Sequence, residues 1–454
     1  MKKVFSVLDF GARAGLDELQ TRAIQRCIDE CFLQGGGTVE VPAGDYLTGD
    51  LRLRTGVTLH LLRGAHLLGS RDPEDYGHLL ADELEPLPQA DRSDAPWAAP
   101  SLEPDADCAF FTHAGSRWTR GLIRAIDAHD VAVIGEEGSC IDGRDCFDEL
   151  GEEHYRGPHA FNFYRCRNVT LRGYTVKNSA NWAHALFDCA NIRMQDVQVL
   201  AGHDGVHITG CDNVTIEHCA FYTGDDCIAG TDNLNVLARG CQINTACSGL
   251  RFGGTNALFE SCHFFGPARY LFRGSLTDEE KRSGQVRPAG GHRYNMLSLL
   301  TYYADRFHPI RYTPGNIVIR DCTCENADRF LHYNFSGNEP WQCGRPLSGV
   351  TFEKVRAAGI RYPLHAYGAP EEPFSLTLRD CSLEFAADVH PALVWAANWA
   401  LLSLTHVSVR GLGGCALVKA WSDGPAPRLQ ACDLGAFRGE LLRQADEPFV
   451  CAPI

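Results

Sequence analysis

The sequence predicts an all-β protein, a right-handed parallel β-helix with a helix capping its N-terminal end. The first observation is a period, because Asp204, Asp226 and Ser248 follow one another at intervals of 22 residues. The second is a series of asparagines spaced 23 and 22 residues apart, each two residues after a cysteine: Asn168, Asn191 and Asn213. A repeat of 20–50 residues is typical of a solenoid, in which each coil stacks on the previous one. We therefore predict a single domain over residues 1–454.

The first predicted element is the capping helix. Apolar residues recur at helical spacing between Asp17 and Leu33, and the glycines at 35–37 stop the pattern. Short strands with alternating apolar and polar residues follow from residue 38 onward. We assign residues 1–35 to a cap, because the open end of a solenoid otherwise exposes unpaired strand edges and apolar core.

The asparagines mark the predicted corners of the coils. Each is followed by alternating apolar and polar residues, which is typical of a short strand. Asparagine tolerates left-handed backbone, and stacked asparagines can pair side chain to side chain along a column. Two stretches, 73–116 and 275–315, lack this pattern and are predicted to be long loops near the groove. Strands continue after Asn316, but no coil register is found there.

Many of the twenty cysteines also follow the coil period, as in Cys166, Cys189 and Cys211. Cysteines stacked in this way are expected to be small, buried, reduced residues that fill a narrow core. Reduced thiols favour a reducing compartment, and the first residues contain neither a long apolar segment nor a cleavage site. Both observations predict a cytoplasmic protein.

Charge and hydropathy exclude two classes of partner. The net charge is -15 and no basic stripe is present, so nucleic acid is not an expected partner. No apolar run approaches the roughly 18 residues that a membrane span needs. We expect an oligosaccharide substrate, with homo-oligomers possible. Because the protein is acidic, an anionic substrate has to be captured by local arginines.

The period places acidic residues in one column. A glycosidase needs at least two carboxylates that face each other across a groove. Asp225 precedes Asp226, and in a regular strand the two side chains would point to opposite faces. A distortion at Gly224 would allow both to face the groove. An Asp-Asp pair beside a glycine is by itself typical of a turn, but the register with Asp204 favours a site.

Several segments resemble family 28 of the glycoside hydrolases, the polygalacturonase-like family of right-handed parallel β-helices. The similar segments include Asp9-Phe10-Gly11-Ala12, Gly35-Gly36-Gly37-Thr38-Val39 and the run from Asn178 to Gly230. The resemblance covers roughly residues 4–275. The N-terminal motifs of this resemblance are shared with related β-helix lyases and epimerases, whereas the central acids are more specific to the hydrolases.

The family motifs are partly retained. The family pattern Asn-Thr-Asp-Gly is Gly202-His203-Asp204-Gly205 here, and Gly-Asp-Asp is intact at 224–226. The pattern Gly-His-Gly is replaced by Cys247-Ser248-Gly249, and counting on by 22 places Arg273 and Ser275 at the Arg and Lys of Arg-Ile-Lys. Rhamnogalacturonan-active members also lack that histidine, so the differences argue against a plain polygalacturonase. The resemblance implies an inverting hydrolase with Asp226 as general acid, and Asp204 and Asp225 holding the water.

Candidate substrate-binding residues surround these acids. Arg251 and Arg273 are 22 residues apart, so we expect their guanidinium groups to stack and to bind an anionic group. The other candidates for sugar contacts are His184, His203, His207, Ser248 and Tyr270. No cofactor and no metal are expected. The sequence thus predicts a glycoside hydrolase that acts on the ends of pectin-type or related acidic oligosaccharides. The alternatives are a β-helix polysaccharide lyase and a non-catalytic carbohydrate-binding solenoid.

Overall fold

The structure is a computed structural model that describes residues 3–78, 116–287, 290–304, 311–335, 345–387, 389, 391–414 and 416–447. The chain divides into two compact units. Unit 1 contains the described residues of 3–225 and 270–293, and unit 2 contains those of 226–269 and 294–447. The assignment of the whole chain to a single domain remains a prediction.

Unit 1 contains the two helices α1 (Thr21–Leu33) and α2 (Asp278–Ser283). Its strands are β1 (Val4–Ser6), β2 (Gly37–Val41), β3 (Gly44–Thr48), β4 (Leu51–Arg52), β5 (Val57–Leu61), β6 (Ala65–Gly69), β7 (Gly121–Ile126), β8 (His129–Gly135), β9 (Cys140–Asp142), β10 (His159–Tyr164), β11 (Arg167–Arg172), β12 (Thr175–Lys177), β13 (His184–Phe187), β14 (Ala190–Gln195), β15 (Gln198–Leu200), β16 (Val206–Thr209), β17 (Asp212–Glu217) and β18 (Ala220–Thr223).

Unit 2 consists of strands over its described residues. They are β19 (Ile228–Arg239), β20 (Gln242–Thr245), β21 (Ser248–Glu260), β22 (His263–Phe265), β23 (Met296–Tyr302), β24 (Gly315–Arg320), β25 (Thr323–Glu325), β26 (Ala327–Asn334), β27 (Gly349–Glu353), β28 (Arg356–Ile360), β29 (Leu364–Tyr367), β30 (Phe374–Arg379), β31 (Ser382–Phe385), β32 (Val394–Ala397), β33 (Trp399–Thr405), β34 (Ser408–Arg410), β35 (Ala416–Ala420), β36 (Arg428–Gln430) and β37 (Glu440–Gln444).

In each unit the strands pair in parallel, and each pairs with its counterpart in the next coil. In unit 1 the ladders are β1-β2-β5-β8-β11-β14-β17, β4-β7-β10-β13-β16 and β3-β6-β9-β12-β15-β18. In unit 2 they are β19-β21-β24-β27-β30-β33-β36, β21-β23-β26-β29-β32-β35-β37 and β20-β22-β25-β28-β31-β34. This topology confirms the predicted right-handed parallel β-helix.

The capping helix starts later than the sequence predicts. It begins at Thr21 instead of Asp17, because the preceding residues are held against β3. Leu16 forms a bridge with Tyr46, and the amide of Gln20 donates to the carbonyl of Leu47 at 2.7 Å. The apolar residues of α1 are buried as the pattern predicts: Ile24, Cys27, Ile28 and Cys31.

The asparagine corner is confirmed in unit 1. Asn168, Asn191 and Asn213 have φ angles of 55°, 56° and 57°, which lie in the left-handed region. The Nδ2 of Asn191 donates to Oδ1 of Asn168 at 3.0 Å, and the Nδ2 of Asn213 donates to Oδ1 of Asn191 at 3.1 Å. The asparagines therefore satisfy one another along the column while they turn the chain at each coil.

The interpretation of the cysteines as buried thiols is also confirmed for the described residues. All the cysteines among them are free, and all but Cys432 are buried. Cys189 shows how a corner thiol is used, since its Sγ donates to the carbonyl of Phe187 at 3.2 Å and accepts the amide of Cys166 at 3.3 Å. The thiols thus act as compact core residues that also pair with nearby backbone.

Two predictions about the loops need correction. The stretch 275–315 contains β23, a fully buried coil strand whose apolar run carries no alternation, and α2, which has a capping box between Thr277 and Glu280. The coils also continue regularly beyond Asn316, through strands β24 to β37. The predicted loop 73–116 begins with a 3₁₀ turn at Pro73–Asp75, and residues 79–115 lie outside the described part of the chain. Among the described helices, none combines the length and the apolar character that a membrane crossing requires.

Candidate active site

In unit 1, Asp204 is held by a histidine. It lies just before β16 and is buried. Its Oδ2 is 2.8 Å from Nδ1 of His207, and the His207 ring stacks on Trp182 with centroids 3.5 Å apart and an interplanar angle of 7°. The indole fixes the imidazole, and the imidazole fixes the carboxylate. The structure therefore brings together two of the predicted site residues, Asp204 and His207.

Asp225 is paired with an arginine, Arg156, that the coil period does not predict. Nη2 of Arg156 lies 3.4 Å from Oδ2 of Asp225, and both side chains are buried. Arg156 Nε also lies 3.7 Å from Glu152 and 3.1 Å from Glu153. Burial raises the pKa of Glu152 to about 7, against the opposing effect of Arg156. The charged residues from Glu152 to Arg156 could have indicated a partner for Asp225. They lie between strands, however, where the coil period does not apply.

His203 is a buried imidazole with unused hydrogen-bonding capacity. Neither of its ring nitrogens has a hydrogen-bond partner among the described residues. Its ring lies 5.7 Å from that of Tyr155. Burial, followed by the positive charges of Arg156 and Arg273, holds the pKa of His203 well below its usual value. A neutral imidazole of this kind offers one donor and one acceptor, which suits a sugar hydroxyl.

The predicted register of Arg273 one coil after Arg251 is wrong. Arg251 pairs in register with Thr301, because the chain leaves the coil after β22 and returns only at β23. Arg273 instead belongs to a 3₁₀ turn of unit 1, where it donates to the carbonyl of Ser179 at 3.1 Å and forms an ion pair with Asp145. Tyr270, which precedes this turn, is partly exposed. The 22-residue period does not extend across the insertion between β22 and β23, so it gives the wrong position for Arg273.

His184 is a core residue and not a neighbour of His207 in the column. Ala185 is the residue in register with His207, and a slip of one position turns a side chain to the other face of a strand. The Nδ1 of His184 is 2.9 Å from the carbonyl oxygen of Gly205, and its Nε2 is 3.1 Å from the hydroxyl of Tyr174. Both ring nitrogens are thus used inside the fold, which corrects the predicted sugar contact.

In unit 2, Asp226 is held by a backbone amide and an arginine. It is 1% exposed, and its Oδ1 accepts the amide of Ser248 at 2.9 Å. Nη1 of Arg251 lies 3.6 Å from Oδ2 of Asp226, and the Arg251 guanidinium lies 4.9 Å from the ring centroid of Tyr303. Both contacts favour the ionised carboxylate. The Ser248 hydroxyl is 3.1 Å from that of Thr301, so Ser248 contacts the carboxylate through its backbone.

The backbone around Gly224 is irregular, as the sequence analysis required. Residues 224–227 lie between β18 and β19 and belong to neither strand, so the alternation of faces does not apply to Asp225 and Asp226. A Cβ at Gly224 would lie 2.1 Å from the carbonyl oxygen of Leu271, a distance that no side chain tolerates. The position therefore requires glycine.

Comparisons with known proteins agree with the motifs. Residues 107–251 match the family model described as Glycosyl hydrolases family 28. A probable polygalacturonase of Vitis vinifera is 30% identical over 237 residues, which cover 49% of this chain and 43% of that protein. An exo-poly-alpha-D-galacturonosidase of Dickeya chrysanthemi is 27% identical over 281 residues, which cover 50% of this chain and 41% of that protein. The chain thus spans less than half the length of these two relatives.

The fold has a solved counterpart. The family 28 exopolygalacturonase of Yersinia enterocolitica superposes with a TM-score of 0.62 at 17% identity, covering 96% of this chain and 79% of that one. At this identity the likeness shows the fold alone. The match over residues 107–251, the intact Gly224-Asp225-Asp226 motif and the parallel ladders together support the resemblance of the central coils to family 28 of the glycosyl hydrolases.

Proposed function

We propose that this protein is a glycoside hydrolase that cleaves pectin-type or related acidic oligosaccharides from one end, with inversion. The observation that carries the proposal is that the three aspartates at the family motif positions are all buried, and each is held by a partner. Asp204 is held by His207, Asp225 by Arg156, and Asp226 by the Ser248 amide. Buried carboxylates are costly unless they are paired, and such groups cluster at functional sites.

The proposed roles divide the acid and base chemistry. Asp226 donates a proton to the leaving oxygen, while Asp204 and Asp225 hold and activate the water, as an inverting mechanism requires. The amide of Ser248 fixes Oδ1 of Asp226, which leaves Oδ2 to carry the proton. In the free protein Arg251 opposes that protonation from 3.6 Å. A substrate carboxylate bound to Arg251 offsets the charge of that arginine. Binding of an acidic substrate therefore favours protonation of Asp226, the general acid.

Chain-end action is supported by the segment between β22 and β23. Its helix α2 contacts the loop between β9 and β10, which carries Arg156. Nζ of Lys281 lies 4.4 Å from the ring centroid of Tyr155, and Arg282 pairs with Glu149 at 3.4 Å. The segment is closed at its base, where the amide of Phe272 donates to the carbonyl of Arg293 at 3.0 Å. We assign to it the role of a wall at one end of the substrate site.

Activity on a panel of oligogalacturonates and neutral oligosaccharides tests the proposal. A hydrolase releases reducing ends without near-ultraviolet absorbance, a lyase product absorbs, and a binding module gives neither signal. Asp204→Asn and Asp226→Asn should each lower kcat by at least about 10²-fold, the lower range for loss of an acid or base. Asp196→Asn, an exposed aspartate of unit 1, serves as the matched control. Wild-type turnover in either test variant contradicts the assignment.

The product pattern tests the end wall separately. From tetragalacturonate, the first products should be monosaccharide and trimer, with the anomer at the new end inverted by NMR. Replacement of residues 276–291 by a short Gly-Ser turn keeps Arg273 and the hydrogen bond at the base of the segment. This variant should release dimer at early times, because the wall is gone. If the intact protein already releases dimer first, the exo assignment is wrong.

A further inference from the structure

Unit 2 contains a column of polar and aromatic side chains, one on each of four successive coils. His332 pairs in register with His365, His365 with Trp395, and Trp395 with Lys419, one residue per coil on strands β26, β29, β32 and β35. The adjacent positions form a buried aliphatic column: Leu364, Val394 and Val418. Since side chains alternate between faces along a strand, the polar and aromatic column lies on the face opposite the aliphatic core.

His365 is the informative member of this column. It is 1% exposed, and neither ring nitrogen has a hydrogen-bond partner among the residues that the structure describes. A buried polar group without a hydrogen-bond partner destabilises the fold. Burial, followed by the charges of His332 and Arg329, lowers the pKa of His365 to about 2. The imidazole is therefore neutral and keeps one donor and one acceptor for a ligand hydroxyl.

The neighbours of His365 provide an aromatic platform and positive charge. The Trp395 ring lies parallel to the His365 ring, at 5.1 Å and 6°, and is itself partly exposed. Trp421 lies 5.6 Å from Trp395, and Nζ of Lys419, which also pairs with Glu447, is 5.2 Å from the Trp421 ring. Arg329, a buried residue of β26 three positions before His332, also contributes positive charge near His365. An indole can pack against a sugar ring, an imidazole can pair with its hydroxyls, and a cation can pair with a carboxylate. This set of groups therefore suits an acidic sugar.

We propose that His365, Trp395 and Arg329 form a second binding site for a uronic acid residue, separate from the aspartate motifs. The sugar hydroxyls pair with His365, its apolar part packs against the exposed part of the Trp395 side chain between its neighbours His365 and Lys419, and its carboxylate pairs with Arg329. Along the ladder, His365 is three coils beyond Arg251, through Thr301 and His332, which corresponds to about 14 Å at the usual strand spacing. The site would hold a sugar residue remote from the bond that is cleaved, or a separate oligosaccharide.

Calorimetry on a non-hydrolysing background tests the site. In the Asp226→Asn full-length protein, titration with digalacturonate is compared before and after His365→Phe, which keeps a ring on Trp395 but removes both hydrogen-bonding nitrogens. His406→Phe, at an exposed histidine of unit 2, is the matched control. We expect His365→Phe to remove one binding event, or to weaken it at least 10-fold, without lowering the melting temperature, while the control variant keeps the parent isotherm.

The opposite results overturn the proposal. An unchanged digalacturonate isotherm in His365→Phe removes the site, and equally tight binding of lactose removes its assignment to acidic sugars. If His365→Phe does not fold, a crystal of the Asp226→Asn protein soaked in digalacturonate decides, since sugar density on Trp395 is required. Because every readout is binding, loss of this site is distinguishable from failure of the proposed hydrolase activity, which is tested by turnover.

Discussion

In the proposed mechanism, Arg251 couples the charge of an acidic substrate to the proton affinity of Asp226. Its guanidinium lies 3.6 Å from one carboxylate oxygen and over the ring of Tyr303, so it is held near the acid before any substrate arrives. An adjacent cation favours the ionised carboxylate, whereas a general acid has to be protonated. The proposed mechanism resolves this conflict only for substrates that carry an anion.

Removal of this arginine should therefore change the pH profile in a defined direction. An adjacent cation favours the ionised carboxylate, so without Arg251 the basic limb of kcat/KM in Arg251→Leu should move to higher pH. KM for the acidic substrate should rise, because the anion loses its partner. A pH-rate series measures both, with Arg239→Leu, an exposed arginine of unit 2, as control. An unmoved basic limb together with an unchanged KM rules out this role.

The asparagine ladder shows how a coil corner is specified. Asn191 combines a left-handed backbone, at φ 56°, with side-chain hydrogen bonds to Asn168 and from Asn213. Each property has its own cost when lost. A left-handed conformation costs a non-glycine residue about 1–2 kcal/mol, and a hydrogen bond contributes about 0.5–1.5 kcal/mol.

Two substitutions at this corner separate the contributions. Asn191→Ala loses the ladder bonds and places an unsupported Cβ in the left-handed region, so its free energy of unfolding should fall by about 2–3 kcal/mol. Asn191→Gly loses the same bonds without that strain and should fall by about 1 kcal/mol less. Urea unfolding at 25 °C measures both. Equal destabilisation would mean that the backbone conformation carries no cost here.

The elements also show what the sequence could predict. The coils from β10 to β22 recur every 21–23 residues, so the solenoid, the asparagine corners and the buried cysteines were all predicted. After β22 the next coil lies 60 residues on, where Ala257 pairs with Ile317, and Ile317 then pairs with Val350. A solenoid constrains its strands but not the length of its corners. The register of Arg273 failed for this reason, and Arg156 was missed because it lies in such a corner.

At the scale of the whole molecule, burial of histidines sets a limit on acid stability. Burial lowers the pKa of His159 to about 3, of His184 to about 4 and of His365 to about 2, and it holds the pKa of His203 well below its usual value. The unfolded chain binds protons at about pH 6.5, whereas the folded chain does not. Stability from these groups is therefore fully present above pH 6.5 and is lost as pH falls through the folded-state values.

The free energy of unfolding should accordingly decrease as pH falls from 6.5 to 4, by up to about 1.4 kcal/mol per pH unit for each buried histidine. His184 allows a direct test by unfolding, because both of its ring nitrogens are paired inside the fold, with Gly205 and Tyr174. His184→Asn should be less stable at pH 7 but should show a slope that is shallower by about that amount. Urea unfolding at pH 7, 6, 5 and 4.5 measures the slope, with His406→Asn, at an exposed histidine, as control. If the slope of His184→Asn equals that of the parent, the acid sensitivity comes from other groups, and the carboxylates paired with arginines become its source.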